Sequence, residues 1–384
     1  MQTSHNEPHT KLLYAKITSF YREQILTGNL PPGTQLPTEM EIAQQHQISR
    51  GTVRQALTLL VAEGLLERVQ GRGTFVRVGP SHPEESSEVP AEKNIGLILS
   101  GSTEDELSMG ILLGAEQIIK ARGYHLNVAF VDNDTAQLTA IINRLRTRTT
   151  GLIIFPTGDT PYIETIKQLE LDHIPYVLTD RYLAAIESDY IGVDNIESGY
   201  RATEHLIVLG HIRIGFAYSA FDRLDTTSVH DRWKGYRKAL QAYDLPYDDT
   251  MLLRDAPSST APAPNAYDEY MQRPDRPDAV FTVNDYIALG LLRAAQRCQI
   301  AIPEKLAIVG FDDVSYATHI HPALTTIAQP RKEIGVQAAN LLIDRIEKKI
   351  VGPPRHIELP TQLIVRESCG TRLNLKNHIL AAQQ

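Results

Sequence analysis

Arg50, Thr52 and Arg54 open the stretch "ISRGTVRQALTLLVAEGLLERVQGRGTFVRV". Arg50 and Arg54 are four residues apart, so on a helix they share one face, with Thr52 nearby and the apolar residues turned the other way. Two guanidiniums at a helix start suit the O6 and N7 acceptors of guanine in a major groove. Further on, Arg72 lies between Gly71 and Gly73, where the glycines allow close backbone approach to a minor groove or to phosphate.

A second set of polar residues follows apolar runs later in the chain. Ser100 follows "IGLIL", Asp180 follows "YVLT", Asn284 and Asp285 follow "VFTV", and Asp312 and Asp313 follow "IVGF". Ligands of open α/β sheets collect at the carboxyl ends of strands, and carboxylates and amides there match the adjacent hydroxyls of a sugar. Each residue also has a plainer role. Asn284 or Asp285 can cap the helix "YIALGLLRAAQ", Asp180 can be a surface turn residue, Asp313 a turn, and Arg232 in "HDRWKGYRKAL" can pair with a carboxylate on a neighbouring helix. The pair in "HIHP", His319 to Pro322, has no third ligand near it and reads as surface rather than metal site.

The elements that must position the first set are three helices and a hairpin. Leu13, Ile17, Phe20 and Leu26 recur at roughly helical spacing before Gly28; Thr38 can cap a helix through Met40, Ile42 and Ala43; Ser49 can cap another whose buried stripe is Val53, Leu57, Leu60 and Val61, ending near Gly64. "LLERV" and "TFVRV" then alternate around "QGRG", which predicts a two-stranded wing beside a helix-turn-helix. The second set requires parallel α/β sheets: "NIGLILS", "HLNVAFV", "TGLIIFP", "IPYVLTD", "YIGVDN", "IRIGFAYS", "AVFTVND" and "LAIVGFDD" alternate with amphipathic stretches. Their extent predicts two lobes. Between the two regions "GPSHPEESSEVPAEK" has the composition of a linker. The expected organisation is therefore a DNA-binding domain over 1–78, a linker over 79–93, an effector domain over 94–370 and a tail over 371–384.

Charge divides along the same boundary. Residues 1–79 hold 8 Lys and Arg against 6 Asp and Glu, net +2, which leaves −10 for the rest of a 384-residue chain at −8. That asymmetry fits one small domain touching a polyanion while the remainder stays off it. Two cysteines, Cys298 and Cys369, are too few for a disulfide framework, and the start "MQTSHNEPHTKLLYAK" lacks the pattern of a secretory signal. No run of eighteen apolar residues occurs. A cytoplasmic chain without membrane contact is expected. No phosphate-binding loop, dinucleotide glycine fingerprint, nucleophile elbow or zinc-protease helix is present, so neither an enzyme nor a cofactor is expected.

From Lys11 to Val76 the chain resembles the winged helix-turn-helix of the GntR regulator family, on "LTGNLPPGTQLPTEMEIAQQHQISRGTVRQALTLLVAEGLLERVQGRGTFV". The resemblance implies base and phosphate contacts by Arg50, Thr52 and Arg54, a place at the start of the positioning helix for Glu39, and a wing tip of Arg72 and Gly73. Thr38 stands where the family usually has Ser, and Met40 where it has a basic residue. From Asn94 to about Cys369 the chain resembles the effector domain of the LacI and purine-repressor family, on "RATEHLIVLGHIRIGFAYS", "RWKGYRKAL", "AVFTVNDYIALGLLRAA" and "IPEKLAIVGFDDVSYATHIHPALTTIAQP". By that resemblance Ser100, Asp180, Arg232, Asn284, Asp312 and Gln329 contact the ligand. Phe155 stands where the lactose-type repressor has an amide, and "RDAPSSTAPAP" lacks its sugar-stacking tryptophan. A GntR head on such a body resembles the arabinose-repressor family of bacilli, which implies a pentose or related sugar.

These readings predict an α/β chain with an N-terminal winged helix-turn-helix and a two-lobed, periplasmic-binding-protein-like domain of parallel sheets. The expected function is a homodimeric transcriptional repressor of carbohydrate-utilisation genes. It binds a palindromic double-stranded DNA operator under control of a small sugar, with a cytosolic sugar-binding protein or a sensor of a non-sugar metabolite as the alternative.

Overall fold

The computed structural model describes residues 17–18, 20–22, 24–25, 29–31, 33–46, 48–62, 65–69, 73–76, 93–101, 105–131, 135–156, 163–219, 224–255 and 266–371, without the side chains of 55, 59, 62, 69 and 255. The chain divides into two compact units, Met1–Glu88 and Val89–Gln384.

In the first unit, α1 (Glu39–Gln45) and α2 (Arg50–Ala62) are followed by strands β1 (Leu66–Val69) and β2 (Gly73–Val76). Thr38 starts α1 with a full capping box: its hydroxyl accepts from Glu41 N–H, and the Glu41 carboxylate accepts from Thr38 N–H at 2.7 Å. Ser49 does the same work for α2, accepting from Thr52 N–H at 3.1 Å. Ile42, Val53, Leu57, Leu60, Leu66 and Val76 close a small core around Ile17, Tyr21 and Leu36. Two apolar expectations change. Met40 is 53% exposed and Phe20 42%, because the helix faces that turn inward run through Ile42 and Tyr21 instead. The expected helix ends at Gly28 and Gly64 lie outside the described residues, as do Leu13 and Leu26. The strands pair antiparallel with Val69 opposite Gly73, so a wing follows the helix pair. Gly73 sits at φ +115°, in the left-handed region, and a Cβ there would meet Gln35 Nε2 at 2.9 Å.

In the second unit the first sheet has the order β13-β7-β6-β5-β3-β4, made by β3 (Asn94–Ser100), β4 (His125–Val131), β5 (Gly151–Ile154), β6 (Tyr176–Thr179), β7 (Asp189–Val193) and β13 (His356–Leu359). The second has the order β14-β12-β11-β10-β8-β9, made by β8 (Ile214–Ser219), β9 (Leu252–Asp255), β10 (Ala279–Thr282), β11 (Ala307–Asp312), β12 (Thr325–Ala328) and β14 (Gln362–Ile364). The eight apolar runs named above all form strands. Their pairings are parallel, as continuous apolar runs covered on both faces require; only β14 runs antiparallel, at the edge beside β12.

Helices α3 (Glu106–Ala121), α4 (Thr135–Leu145) and α5 (Ile163–Leu171) follow strands of the first sheet. Helices α6 (Asn195–Val208), α7 (Thr227–Ala242), α8 (Ala266–Gln272) and α9 (Asp285–Arg297) belong with the second. Helix α10 (Arg331–Ile346) returns to pack against α3 and the first sheet. The chain therefore crosses between lobes three times, after β7, after β12 and between β13 and β14. Helix α7 lies close against α6, where a Cβ on Gly235 would come 2.1 Å from Ile196 O. No helix among the described residues is long and apolar enough to cross a membrane.

Candidate functional site

Each unit carries one. In the head, Arg50 is exposed at the first position of α2 and makes no side-chain hydrogen bond or ion pair among the described residues. Arg54, one turn on, is not free as the sequence suggested. Its Nε donates to both carboxylate oxygens of Glu39 at 3.3 and 3.1 Å, and its terminal nitrogen reaches Oε2 at 2.9 Å. Glu39 also pairs with Arg68 of the wing strand at 3.5 Å, and Arg68 donates to Thr58 Oγ1 at 3.3 Å. The Arg54 hydrogen bonds hold the Glu39 carboxyl below its ordinary range. One carboxylate thus ties the positioning helix to an arginine on the recognition helix and to another on the wing.

Thr52, expected beside the arginines, is only 4% exposed, and its hydroxyl lies 2.8 Å from Ser49 Oγ. It braces the helix cap instead of facing outward. Arg72 lies outside the described residues, while Gly73 begins β2. Arg68, which the sequence reading passed over, stands opposite Thr74 and two residues after the buried Leu66, on the strand face that turns toward Thr58 of α2, so alternation along β1 did not announce it.

In the body, Ser100, Asp180, Arg232, Asn284 and Asp312 line one cavity of about 160 Å³. The register explains the convergence. Ser100 ends β3 and Asp180 follows β6 in the first lobe, while Asn284 follows β10 and Asp312 ends β11 in the second, all at carboxyl ends of parallel strands. Asp180 and Asp312 adopt φ of 63° and 116°, conformations unusual for residues with a Cβ. Asp180 is buried, not a surface turn residue, and its carbonyl accepts from Tyr190 Oη at 3.1 Å.

Arg232 projects from α7 and is fixed on three sides. Its Nε donates to Asn195 Oδ1 at 2.8 Å, one terminal nitrogen donates to Val283 O at 2.7 Å, and its Cζ lies 3.6 Å from the Phe311 ring centroid. No neighbouring carboxylate is needed to hold it. Desolvation pushes the Asp312 carboxyl well above its ordinary range, against the pull of Arg232. Asn284 lines the cavity, and it also caps α9 as foreseen, its Oδ1 accepting from Ile287 N–H at 2.9 Å. Gln329 stands behind Asp312, donating to its Oδ1 at 2.6 Å, and does not line the cavity.

Phe155, with Leu107 and Val229, forms an apolar wall of the cavity, and its lining gains polar groups from Asp105, Arg181 and Ser228. The sequence reading missed these last three. Ser228 stands four residues before Arg232 on α7 and so shares its face, and Asp105 announces itself as the N-cap of α3. Asp313 pairs with Arg366 at 2.7 Å, in keeping with a turn residue. The His319 ring contacts the Ser315 carbonyl at 3.0 Å.

Residues 13–76 match the gntR family of bacterial regulatory proteins, and residues 203–369 match the periplasmic binding protein-like domain. An arabinose metabolism transcriptional repressor of Geobacillus stearothermophilus is 36% identical over 351 residues, 90% of this chain and 94% of that protein. A second repressor of that name, from Halalkalibacterium halodurans, is 31% identical over 85% of this chain and 88% of its own length. Among solved structures, a LacI family transcriptional regulator from Enterococcus faecium with bound ribose superimposes with a TM-score of 0.61. It is 28% identical and covers 72% of this chain and 98% of its own.

Proposed function

The chain belongs to the family of transcriptional repressors that join a GntR-type head to a periplasmic-binding-protein-like body, and we propose that it controls carbohydrate-utilisation genes as a homodimer. It is a regulator, not an enzyme, with DNA and a small-molecule effector as its partners. In this reading two heads occupy half-sites of a palindromic operator in the cytoplasm, and a small sugar of pentose class enters the cleft. Residues 1–78 form the DNA-binding domain, 79–93 the linker, 94–370 the effector domain and 371–384 a tail. Arg50 and Arg54 read bases, with Glu39 and the wing tip at Arg72 and Gly73 positioning and contacting the backbone. Thr52 serves through the cap.

The observation that carries the effector assignment is the convergence of Ser100 and Asp180 from one lobe with Arg232, Asn284 and Asp312 from the other on one cavity. Its 160 Å³ is well below the roughly 300–1,000 Å³ of drug-sized pockets, which favours a monosaccharide. Carboxylates, amide and guanidinium offer acceptors and donors for vicinal hydroxyls, and Phe155 offers an apolar face for ring C–H groups. The bound ribose of the Enterococcus faecium regulator and the name of the arabinose repressors support the pentose class. Sugar bound to both lobes favours their closed arrangement, and by linkage operator and sugar then alter each other's affinity equally.

A thermal-shift series on the full chain with free and phosphorylated pentoses and hexoses tests this. A sugar at 100 times its Kd adds about 2.7 kcal/mol of stability. One pentose should stabilise the wild type and not Asp312→Ala, and should change operator retention in a gel-shift titration. If no sugar does either while a non-sugar metabolite does, the sugar assignment fails.

A further inference from the structure

Helix α7 has a second functional face. Arg232 and Ser228 turn toward the cleft, while Trp233, Lys234, Arg237 and Lys238 turn away from it and, with Asp244 and Tyr247, line an open groove of about 690 Å³. The groove gathers three cations against one carboxylate, on a body whose charge is otherwise negative. Residues 233 and 237, and 234 and 238, are i, i+4 pairs, so the cations stand side by side along one edge.

Arg237 is held for use. Its Cζ lies 5.0 Å from the Trp233 centroid and 4.5 Å from the Tyr247 centroid. The two rings meet edge to face with centroids 6.3 Å apart, and a guanidinium resting against both loses little further freedom on binding. Its N–H groups make no hydrogen bond among the described residues. Lys238 Nζ lies 5.7 Å from the Tyr200 centroid and likewise has no carboxylate partner among the described residues. Only Lys234 is paired, its Nζ 3.0 Å from Asp231 Oδ1. A solvated helix face explains scattered lysines; it does not explain a guanidinium packed against a pair of aromatic rings beside a concave surface.

We propose that this groove is a second effector site, for a small phosphorylated metabolite, distinct from the cleft. An arginine fork accepts two phosphoryl oxygens at once, and the flanking lysines neutralise the remaining charge. The volume lies within the range of small-molecule sites. The site also adjoins the interlobe contact, because Asp231, the partner of Lys234, is the acceptor for Tyr182 of the other lobe.

The groove contains its own reporter, since Trp233 is the single tryptophan of the chain. The full chain is titrated with inorganic pyrophosphate, and separately with inorganic phosphate, while sodium chloride keeps the ionic strength constant. Tryptophan emission should change saturably with pyrophosphate. The doubly substituted Arg237→Gln, Lys238→Gln chain should bind it about tenfold or more weakly, whereas Asp312→Asn, in the cleft, should not alter the titration. Both substituted side chains are exposed, and calorimetric titration of the wild type, with one pyrophosphate per chain expected, reads the same event without a variant. The proposal is overturned if neither readout saturates, if chloride alone reproduces the change, or if the double variant binds as the wild type does. Failure here leaves the sugar reading of the cleft untouched, because that site is tested by different ligands and a different residue.

Discussion

Tyr182 Oη donates to Asp231 Oδ2 at 2.8 Å, joining the loop after β6 in the first lobe to α7 in the second. Thr227 Oγ1 donates to the Tyr182 carbonyl at 2.8 Å on the same side. Elsewhere on the cleft rim, Glu106 of the first lobe accepts from the backbone and hydroxyl of Ser315 at 2.8 and 2.6 Å and pairs with Arg331 at 2.9 Å. The two lobes are thus joined by polar contacts at more than one place.

Removing the Tyr182 hydroxyl tests what such a contact contributes. In Tyr182→Phe the ring stays packed against Tyr190 and His356, and Asp231 keeps Lys234. The lost hydrogen bond to a charged acceptor is worth about 1.5 kcal/mol. Since it favours the closed arrangement that a sugar selects, affinity for that sugar should fall about tenfold by calorimetry, with the melting temperature little changed. An unaltered Kd would show that this contact persists when the lobes separate.

Asp285 makes the second lobe sensitive to pH. It is fully buried beside Asn284, where Thr326 Oγ1 reaches its Oδ1 at 2.6 Å and Val314 N–H its Oδ2 at 3.0 Å. Burial pushes its carboxyl up to about 7. With a folded value above the unfolded one near 4, the folded chain holds the extra proton between them. Stability contributed by Asp285 is then fully present below about pH 4 and lost as pH rises through about 7, by up to about 4 kcal/mol. Asp285→Asn should flatten the stability profile across that window, because the amide oxygen can accept from Val314 while its nitrogen donates to the Thr326 hydroxyl. Denaturation midpoints at several pH values would reveal an unchanged slope if Asp285 were ionised throughout.

The same carboxyl explains a glycine. A Cβ on Gly310 of β11 would lie 2.0 Å from Asp285 Oδ1 and 3.1 Å from Leu324 Cδ2. Gly310→Ala should cost about 3 kcal/mol through overpacking, measured by urea unfolding. Because the closest approach is to the Asp285 side chain, the cost in an Asp285→Ala background should be smaller. Equal costs in the two backgrounds would place the obstruction at Leu324 instead.

What the sequence made legible follows from which signals are local. Continuous apolar runs revealed the eight strands, and polar residues at their carboxyl ends revealed the cavity, since a parallel sheet brings those ends to one edge. Strands β9, β12, β13 and β14 were not legible. Each is three or four residues long, and β13 alternates between exposed and half-buried positions, with little apolar signal of its own. The caps at Thr38 and Ser49 were readable because a cap is a contact across three residues. Pairing between distant side chains was not: nothing in the spacing of Glu39, Arg54 and Arg68 announces that one carboxylate serves two arginines, and nothing near Gln329 announces that Asp312 stands in front of it. Such partners depend on how helices and strands meet in three dimensions.

The Glu39–Arg54 pair leads to the last prediction. Glu39 occupies the Nε edge of the Arg54 fork, so it fixes the direction of the guanidinium and leaves the outer N–H groups for a base. It also subtracts a charge from the face that meets phosphate. Glu39→Gln should therefore have opposite effects on the two modes of binding. Affinity for non-operator duplex should rise, since one fewer negative charge faces the polyanion. Preference for operator should fall, because Arg54 is no longer aimed. Arg54→Ala should lower operator preference about tenfold or more. If Glu39 acts on specificity only through that arginine, adding Glu39→Gln to Arg54→Ala should change the preference no further. Competition titrations of operator and non-operator duplexes at several salt concentrations separate these effects. Additive losses in the double variant would mean that Glu39 acts through Arg68, or on the DNA directly, and not by positioning Arg54.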